Sequence, residues 1–368
     1  MRVYLAVIFI TLILGVITAN LRESDRLAGK YLTASVIPIA MILIVWVYVF
    51  AFRDLTIGSD TNGYYYFYHE IIPEKISLKE FIDTQRDWLF SILEYVCARL
   101  FHGSWLGFQI VVALLIYIPI IAVVVNKSVN ITASLLLFIF TLAYFSGFNG
   151  MRQAIACSLI FYAYYQKFLR KKYLSYAMIL LLAFGFHSSV IFVLPVHILS
   201  GLNYKSWIVR ISSLLMLVLY FSIYQLWPRI IRFLQAIGQT KMAQDYQKLP
   251  VGQGSGFLRL LVVIIPVILG IIYRTRVEGR YYKSDGELIL CLYGALFMLL
   301  STRCWIFARV SSYFSLSQIM YLPKLDCIFT EDTQKLGIFF ILLLFFLYMI
   351  ALLIHGDGGY YPYRFIMM

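Results

Sequence analysis

Apolar residues in this chain gather into long runs, at about 3–20, 31–52, 88–101, 105–125, 131–148, 154–169, 173–199, 207–227, 257–273, 288–307, 309–324 and 336–354. Many of these approach the roughly 18–20 residues a helix needs to cross a bilayer, where only helices or closed barrels satisfy the backbone. The pattern predicts an all-α, polytopic transmembrane bundle of about 10–12 membrane segments. No repeat or low-complexity linker interrupts the series, so residues 1–368 read as one integral-membrane domain. The first run, "VYLAVIFITLILGVITANL", follows Arg2 and shows no small-residue cleavage site, so it is expected to be kept as a helix.

The short polar connections set the orientation. Three are basic: 21–30 (Arg22, Arg26, Lys30), 167–172 (Lys167, Arg170, Lys171, Lys172) and 274–283 (Arg274, Arg276, Arg280, Lys283). The positive-inside rule places all three in the cytoplasm. Five apolar runs lie between the first and second, so one of the five cannot cross. The weakest is 88–101, which carries Glu94 and Arg99 and reaches only about 21 Å as a helix. It is expected to be re-entrant or interfacial. Three runs lie between the second and third basic connections, and the longest, 173–199, is then a half-depth hairpin turning near His187. On this map the loops 53–87 and 228–256 face outward, the second of them beginning with an interfacial helix at "PRIIRFLQAIGQTKM".

Composition strengthens the membrane reading and removes others. The chain is 62% hydrophobic and 13% charged, with a mean hydropathy of +0.83, against about 25% charge in a soluble domain. Its net charge of +13 comes from basic residues in short loops, which is a topology signal and not a nucleic-acid surface. The five cysteines are scattered through apolar segments without a C-x-x-C pair, as packing residues are.

Against this background the polar residues on the outer side stand out. Arg152, in "FNGMRQAIA", falls in the first turn of a helix for which Asn149 is a fitting N-cap. Free amides, the positive dipole end and a guanidinium together suit an anion such as a phosphate. Arg303 and Arg309 bracket "RCWIFAR" at another outer corner, as anion ligands or as interfacial anchors. Arg53 closes the second span. Asp60 lies in "GSDTNGYYYFY", where a carboxylate and aromatic faces such as Tyr64 and Tyr65 suit a sugar ring or form an interfacial belt. Glu94 pairs with Arg99 or Arg152, or meets sugar. His187, in "LLAFGFHSSVIFVLP", is a histidine at membrane depth, suited to proton transfer at neutral pH or held by a backbone carbonyl. Asp60 and Glu94 are alternative bases. The chain has no D-x-D clamp, P-loop, H-E-x-x-H or G-x-S-x-G. A transferase acting on a diphosphate without metal or cofactor would rely on arginines to neutralise the leaving group.

The arginine closing the second span, "GSDTNGY" after it, "NGMRQAIA", the basic "RKK" turn and "FHSS" resemble the EpsG family of Wzy-type polysaccharide polymerases, the membrane enzymes of O-antigen, capsule and exopolysaccharide assembly. The similarity is clearest over 53–199 and weaker through "RCWIFARVSSYFS" and the tail "YYPYRF". The stretch "RDWLFSILE" departs from the family, which often has a glutamate-proline there.

The resemblance implies a glycosyltransferase of the bacterial cytoplasmic membrane working on its outer face. It would transfer a growing glycan from undecaprenyl diphosphate to a hydroxyl of the next lipid-linked repeat unit. Arg53, Asp60, Arg152, His187, Arg303 and Arg309 fall on positions matching the family pattern; for this reaction His187 and Asp60 read as the catalytic residues and the four arginines as diphosphate ligands. A chain-length regulator and a flippase are the implied protein partners. A flippase of the same lipid-linked oligosaccharide and a glycan ligase are the alternatives, although no repeated halves of a carrier are visible.

Overall fold

The computed structural model describes residues 1–27, 34–71, 77–84, 87–236, 240–248, 254–281 and 284–366. Parts of two basic connections, including Lys30 and Lys283, lie outside the described residues. Helices follow one another along the chain: α1 Arg2–Leu27, α2 Val36–Ala51, α3 Thr61–Tyr66, α4 Leu78–Thr84, α5 Trp88–Leu100, α6 Trp105–Lys127, α7 Ile131–Phe140, α8 Ser146–Asn149, α9 Met151–Ala163 and α10 Tyr173–Phe186. They continue with α11 Val193–Ser200, α12 Trp207–Ala236, α13 Thr240–Gln247, α14 Phe257–Ile272, α15 Arg274–Arg280, α16 Asp285–Ser301, α17 Ile306–Ser315, α18 Gln318–Tyr321 and α19 Gln334–Ile354. Among the described residues there is no strand, only an isolated bridge between Arg53 and Phe365. The all-α membrane architecture is as the hydropathy pattern requires.

Length separates the helices into two kinds. Four are long and apolar enough to cross a bilayer, within α1, α6, α12 and α19, and a fifth counts if α14 and α15 are one span bent by 78°. Other apolar runs fold as helices of 10–17 residues, among them α2, α7 and α10. The run 88–101 forms α5, only 13 residues long. The run 173–199 is not one helix: α10 stops at His187, whose φ/ψ of −159°/116° is extended, and a 3-10 turn over Ser188–Phe192 precedes α11. One expectation is corrected. No separate interfacial helix starts at Pro228, because α12 runs through it to Ala236. Proline gives up its own backbone bond there without ending the helix.

The chain divides into two compact units, Met1–Ile191 with Phe329–Met368, and Phe192–Ile328. The first is organised around aromatic packing between α2, α6 and α7. Trp46 is fully buried, its indole N–H donates to Thr11 Oγ1 at 3.0 Å, and its ring meets Tyr117, Phe138 and Tyr144 at 5.2–5.7 Å. Tyr117 and Tyr144 stack at 5.2 Å. Such pairs contribute about 0.5–1.5 kcal/mol each beyond area burial and carry a polar tip that must be satisfied. They therefore fix the α2–α6–α7 geometry more closely than aliphatic contact would.

The second unit is built on α16, against which α11, α12, α14 and α17 pack. Ser311 Oγ donates to the Gly294 carbonyl at 2.8 Å and Gln318 Nε2 to the Val263 carbonyl at 3.1 Å. Both bonds satisfy polar groups inside apolar surroundings. The outward residues of α12, among them Leu214, Leu215, Val218 and Phe221, are exposed and apolar, as lipid-facing positions are.

Candidate functional site

The site grows from three pieces of the first unit. The earliest is the turn before α3. Gly58 has φ +91°, and a Cβ there would lie 2.6 Å from both Asn149 Oδ1 and the Phe148 carbonyl, so only glycine lets this turn approach so closely. Thr61 Oγ1 donates to the Phe148 carbonyl at 3.0 Å. Asp60 and Tyr64 are thereby carried to the "FNGMRQ" corner.

The corner itself departs from expectation at the cap. Gly150, not Asn149, occupies the N-cap of α9, with no side-chain cap bond. Asn149 instead closes the short α8 and turns its amide away. Arg152 still falls in the first turn of α9.

The third piece is α5, too short to span. Phe90, Ser91, Glu94 and Cys97 are its buried positions, a helical spacing that puts them on one face. Asp87 stands at its N-cap but does not cap it. Its carboxylate reaches outward to three partners: His187 Nδ1 at 3.2 Å, the Ser188 backbone N–H at 3.2 Å and Arg152 Nη1 at 3.3 Å. His187 and Arg152 share the same oxygen, Oδ2. Gly185 permits this meeting, since a Cβ there would sit 2.9 Å from Trp88 and hold α10 away from α5.

Together these pieces frame an open cavity of about 340 Å³, lined by Ser59, Asp60, Gly63, Tyr64, Phe67, Phe90, Glu94 and Arg152. The volume falls in the range of small-molecule sites. The Arg152 guanidinium lies 5.7 Å from the Tyr64 ring and 6.0 Å from the Phe90 ring, aromatic faces that favour a cation. Asp60 is exposed at the wall and accepts from Ser59 Oγ at 2.9 Å. Glu94 is 3% exposed.

Electrostatics separates the two buried carboxyls. Burial pushes the Glu94 carboxyl up to about 8, with Arg152 pulling the other way, so at neutral pH it carries its proton and can donate a hydrogen bond. Burial would also raise Asp87, but the hydrogen bond and charge of His187, the charge of Arg152 and the Ser188 N–H outweigh it. Its carboxyl is held below the ordinary aspartate range. One acid is neutral and the other ionised within a few residues of α5.

Of the residues singled out from the sequence, Asp60, Tyr64, Glu94 and Arg152 line one cavity, and Asp87 ties His187 to Arg152 at its edge. Tyr65 is not part of the lining; its ring packs on His69 at 4.2 Å and Trp105 at 5.4 Å. Glu94 does not pair with Arg99, which lies against the Tyr95 ring, nor does it form an ion pair with Arg152 among the described residues. Arg53 also differs from expectation. It is 1% exposed, its guanidinium rests 4.2 Å from the Phe50 ring and 5.0 Å from the Phe148 ring, and it donates to Gln109 Oε1 and the Phe50 carbonyl. A diphosphate has no access to a side chain enclosed in this way, so the arginine closes the C-terminal end of α2 from inside.

Arg303 and Arg309 belong to the second unit and do not line the cavity. Arg303 lies 4.3 Å from the Tyr220 ring and 5.0 Å from the Tyr224 ring, two residues one turn apart on α12, and Arg309 lies 4.9 Å from Trp305. The residue that sequence reasoning missed is Asp87. An aspartate just before a short apolar helix reads as a cap, and its distant partners leave no trace in local spacing.

Among the described residues no three His, Cys, Asp or Glu side chains are grouped to hold a metal. The family model described as the EpsG family matches residues 35–365. The chain belongs to the EpsG family. EpsG proteins are a family of Wzy-type polymerases, and the match extends well past the 53–199 region of clearest resemblance, through Arg303, Arg309 and most of the tail. No curated protein and no solved structure matches the chain.

Proposed function

We propose that this EpsG-family protein polymerises lipid-linked repeat units into a surface polysaccharide on the outer face of the bacterial cytoplasmic membrane, with the Arg152 cavity as its reaction site. The observation that carries this reading is the shared Asp87 oxygen, which joins a candidate base, His187, to a candidate anion ligand, Arg152, that lines the cavity. The donor is a glycan on undecaprenyl diphosphate and the acceptor is a hydroxyl of the next lipid-linked unit. The acceptor oxygen bonds to the donor's anomeric carbon as the bond from that carbon to the phosphate oxygen breaks. The electron pair leaves with undecaprenyl diphosphate.

Geometry and chemistry support a role for each residue. With Nδ1–H donating to Asp87, His187 keeps Nε2 as an acceptor for the hydroxyl proton. Arg152 meets Asp87 through Nη1 and also bonds the Tyr64 side chain, and its guanidinium, which lines the cavity, offers its remaining N–H groups to the diphosphate. The neutral Glu94 carboxyl donates to a sugar or phosphate oxygen, Tyr64 offers a ring face, and Asp60 accepts from sugar hydroxyls. Arg303 and Arg309, in the second unit, are candidate ligands for lipid-linked phosphate by their charge alone. A flippase and a chain-length regulator are the partners this role requires.

The test is the lipid-linked product of cells lacking the protein. Loss of a polymerase leaves single repeat units on the final acceptor. Units trapped in the cytoplasm would indicate a flippase, and long polymer left on undecaprenyl diphosphate a ligase. Because arginines stand in for a metal clamp in this mechanism, polymerisation on purified lipid-linked substrate is expected to survive EDTA. Complete loss, restored by magnesium or manganese, would remove that part of the proposal.

A further inference from the structure

The Asp60 turn and the Arg152 corner are joined by a piece of chain remote from both, residues 356–366, which follows α19. Asn149 Nδ2 donates to the Gly358 carbonyl at 2.9 Å and to the Tyr360 hydroxyl at 3.3 Å. The Gly58 N–H donates to the Gly359 carbonyl at 3.0 Å. Farther on, Asp54 N–H donates to the Arg364 carbonyl and Ile366 N–H to the Phe52 carbonyl, each at 2.9 Å. The Tyr360 ring packs on Phe145 at 5.4 Å and Phe148 at 5.9 Å. The same short segment thus bonds two residues before Asp60 and three residues before Arg152.

Neither anchoring point lies inside a helix that could hold it. Gly58 sits in a turn, and Asn149 ends a four-residue helix beside the Gly150 break. Among the described residues, direct contact between turn and corner includes the Thr61 hydrogen bond, the close approach at Gly58 and, beyond them, the Arg152–Tyr64 contact; residues 356–366 add ties to both sides. Loops with few buried bonds of their own open at little cost, and external ties are what restrict them.

We propose that residues 356–366 are a positioning strap, which holds the Asp60 turn and the Arg152 corner at a fixed separation so that the cavity between them keeps its shape. Asn149 and Tyr360 are positioning residues in this sense: they act on the reaction through Asp60 and Arg152. The link to the reaction rests on the polymerase reading, but the separation itself can be measured without it.

The experiment uses the full chain in lipid nanodiscs, with spin labels on unnatural residues at Asn62 and Ser146, both exposed and outside the cavity lining. The intact protein should give one narrow distance distribution. Asn149→Asp keeps the size of the side chain but turns its donor into an acceptor facing the Gly358 carbonyl, and should broaden the distribution. Deletion of 356–366 should broaden it further, and Asn149→Asp guards against a deletion that fails to fold. In turnover on lipid-linked substrate, Asn149→Asp should raise KM about tenfold with a smaller change in kcat, the size expected for one lost buried hydrogen bond. Mere loss of folded enzyme would lower the apparent kcat at unchanged KM, and that result overturns the proposal. An unchanged distance distribution in both variants overturns it as well. A broadened distribution with full polymer synthesis leaves the strap standing and instead overturns the placing of the reaction in this cavity.

Discussion

Asp87 and His187, separated by 100 positions in the chain, meet at 3.2 Å, and the aspartate oxygen that makes this contact is 3.3 Å from Arg152. The carboxylate fixes which imidazole nitrogen carries the proton and orients the ring, and it does so for a residue at a break between helices, where the backbone alone would leave the side chain free to turn. His187→Gln retains size and hydrogen bonding but cannot carry the proton. It should insert normally, bind lipid-linked substrate and lose about 100-fold or more in polymerisation rate. Asp87→Asn, which keeps the shape but loses the charge, should lose about 10- to 100-fold, the worth of a charge-assisted bond. The products of both should be mainly single repeat units on a gel of cell-surface glycan. Full-length polymer from His187→Gln would show that the histidine is structural.

Glu94 gives a prediction in pH. Its carboxyl is pushed up to about 8 in the folded protein, from a reference value of 4.5 in the unfolded chain. Between those values the folded state holds a proton that the unfolded state has released, so stability falls as pH rises across the window and levels off above about 8. Asp87, held below its ordinary range, works with the opposite sign and loses its contribution only as pH falls below that range. Heat unfolding in detergent should show a Tm that declines from about pH 5 to about pH 8, and Glu94→Gln should flatten the decline. An unchanged slope in the variant would mean that Glu94 is ionised where it sits.

The architecture was legible in the sequence because burial in a bilayer needs long apolar runs, which local composition records. The corner at Arg152 was legible for a similar reason: "NGMRQ" between apolar runs marks a helix start whatever surrounds it. The break at His187 was reached by counting crossings between basic loops. What local pattern could not reveal was partnership. Asp87 looks like a helix cap, the tail looks like a tyrosine-rich end, and Arg53 looks like a residue at a membrane surface. Each owes its role to distant chain, such as Gln109 for Arg53, 56 positions on, and Val49 for Tyr363, 314 positions back. Spacing along the sequence carries no information about such pairings.

Arg53 supplies the third prediction. Its guanidinium covers the Phe50 carbonyl at the end of α2 and holds Gln109, enclosed by two phenyl rings. Arg53→Ala opens a cavity and leaves Gln109 and a carbonyl without their partner, a loss of about 2–4 kcal/mol. The variant should be produced in lower amount with a reduced Tm, while the fraction that folds binds lipid-linked substrate as the wild type does. A normal Tm together with lost substrate binding would return Arg53 to the diphosphate site.

Arg152 distinguishes charge from shape. It carries positive charge into the cavity at the start of α9, where the helix dipole and free amides also favour an anion. Its contacts with Asp87 through Nη1 and with the Tyr64 side chain orient the guanidinium plane at the cavity wall. Arg152→Lys keeps a point charge but loses the planar fork, and Arg152→Ala loses both. Removing a desolvated, charge-assisted contact of this kind costs roughly 2–4 kcal/mol in the transition state, about 30- to 1,000-fold in rate. On purified lipid-linked substrate the alanine variant should therefore be nearly inactive and the lysine variant impaired. Both should insert normally, because the residue lines a cavity and is not packed in the core. The same substitutions at Arg303 and Arg309 test the second unit, where at least one is expected to behave likewise. A folded Arg152→Ala protein that polymerises at the wild-type rate would remove the anion site from this cavity. The Asp87–His187 pair would then have no charged partner to link it to a leaving group.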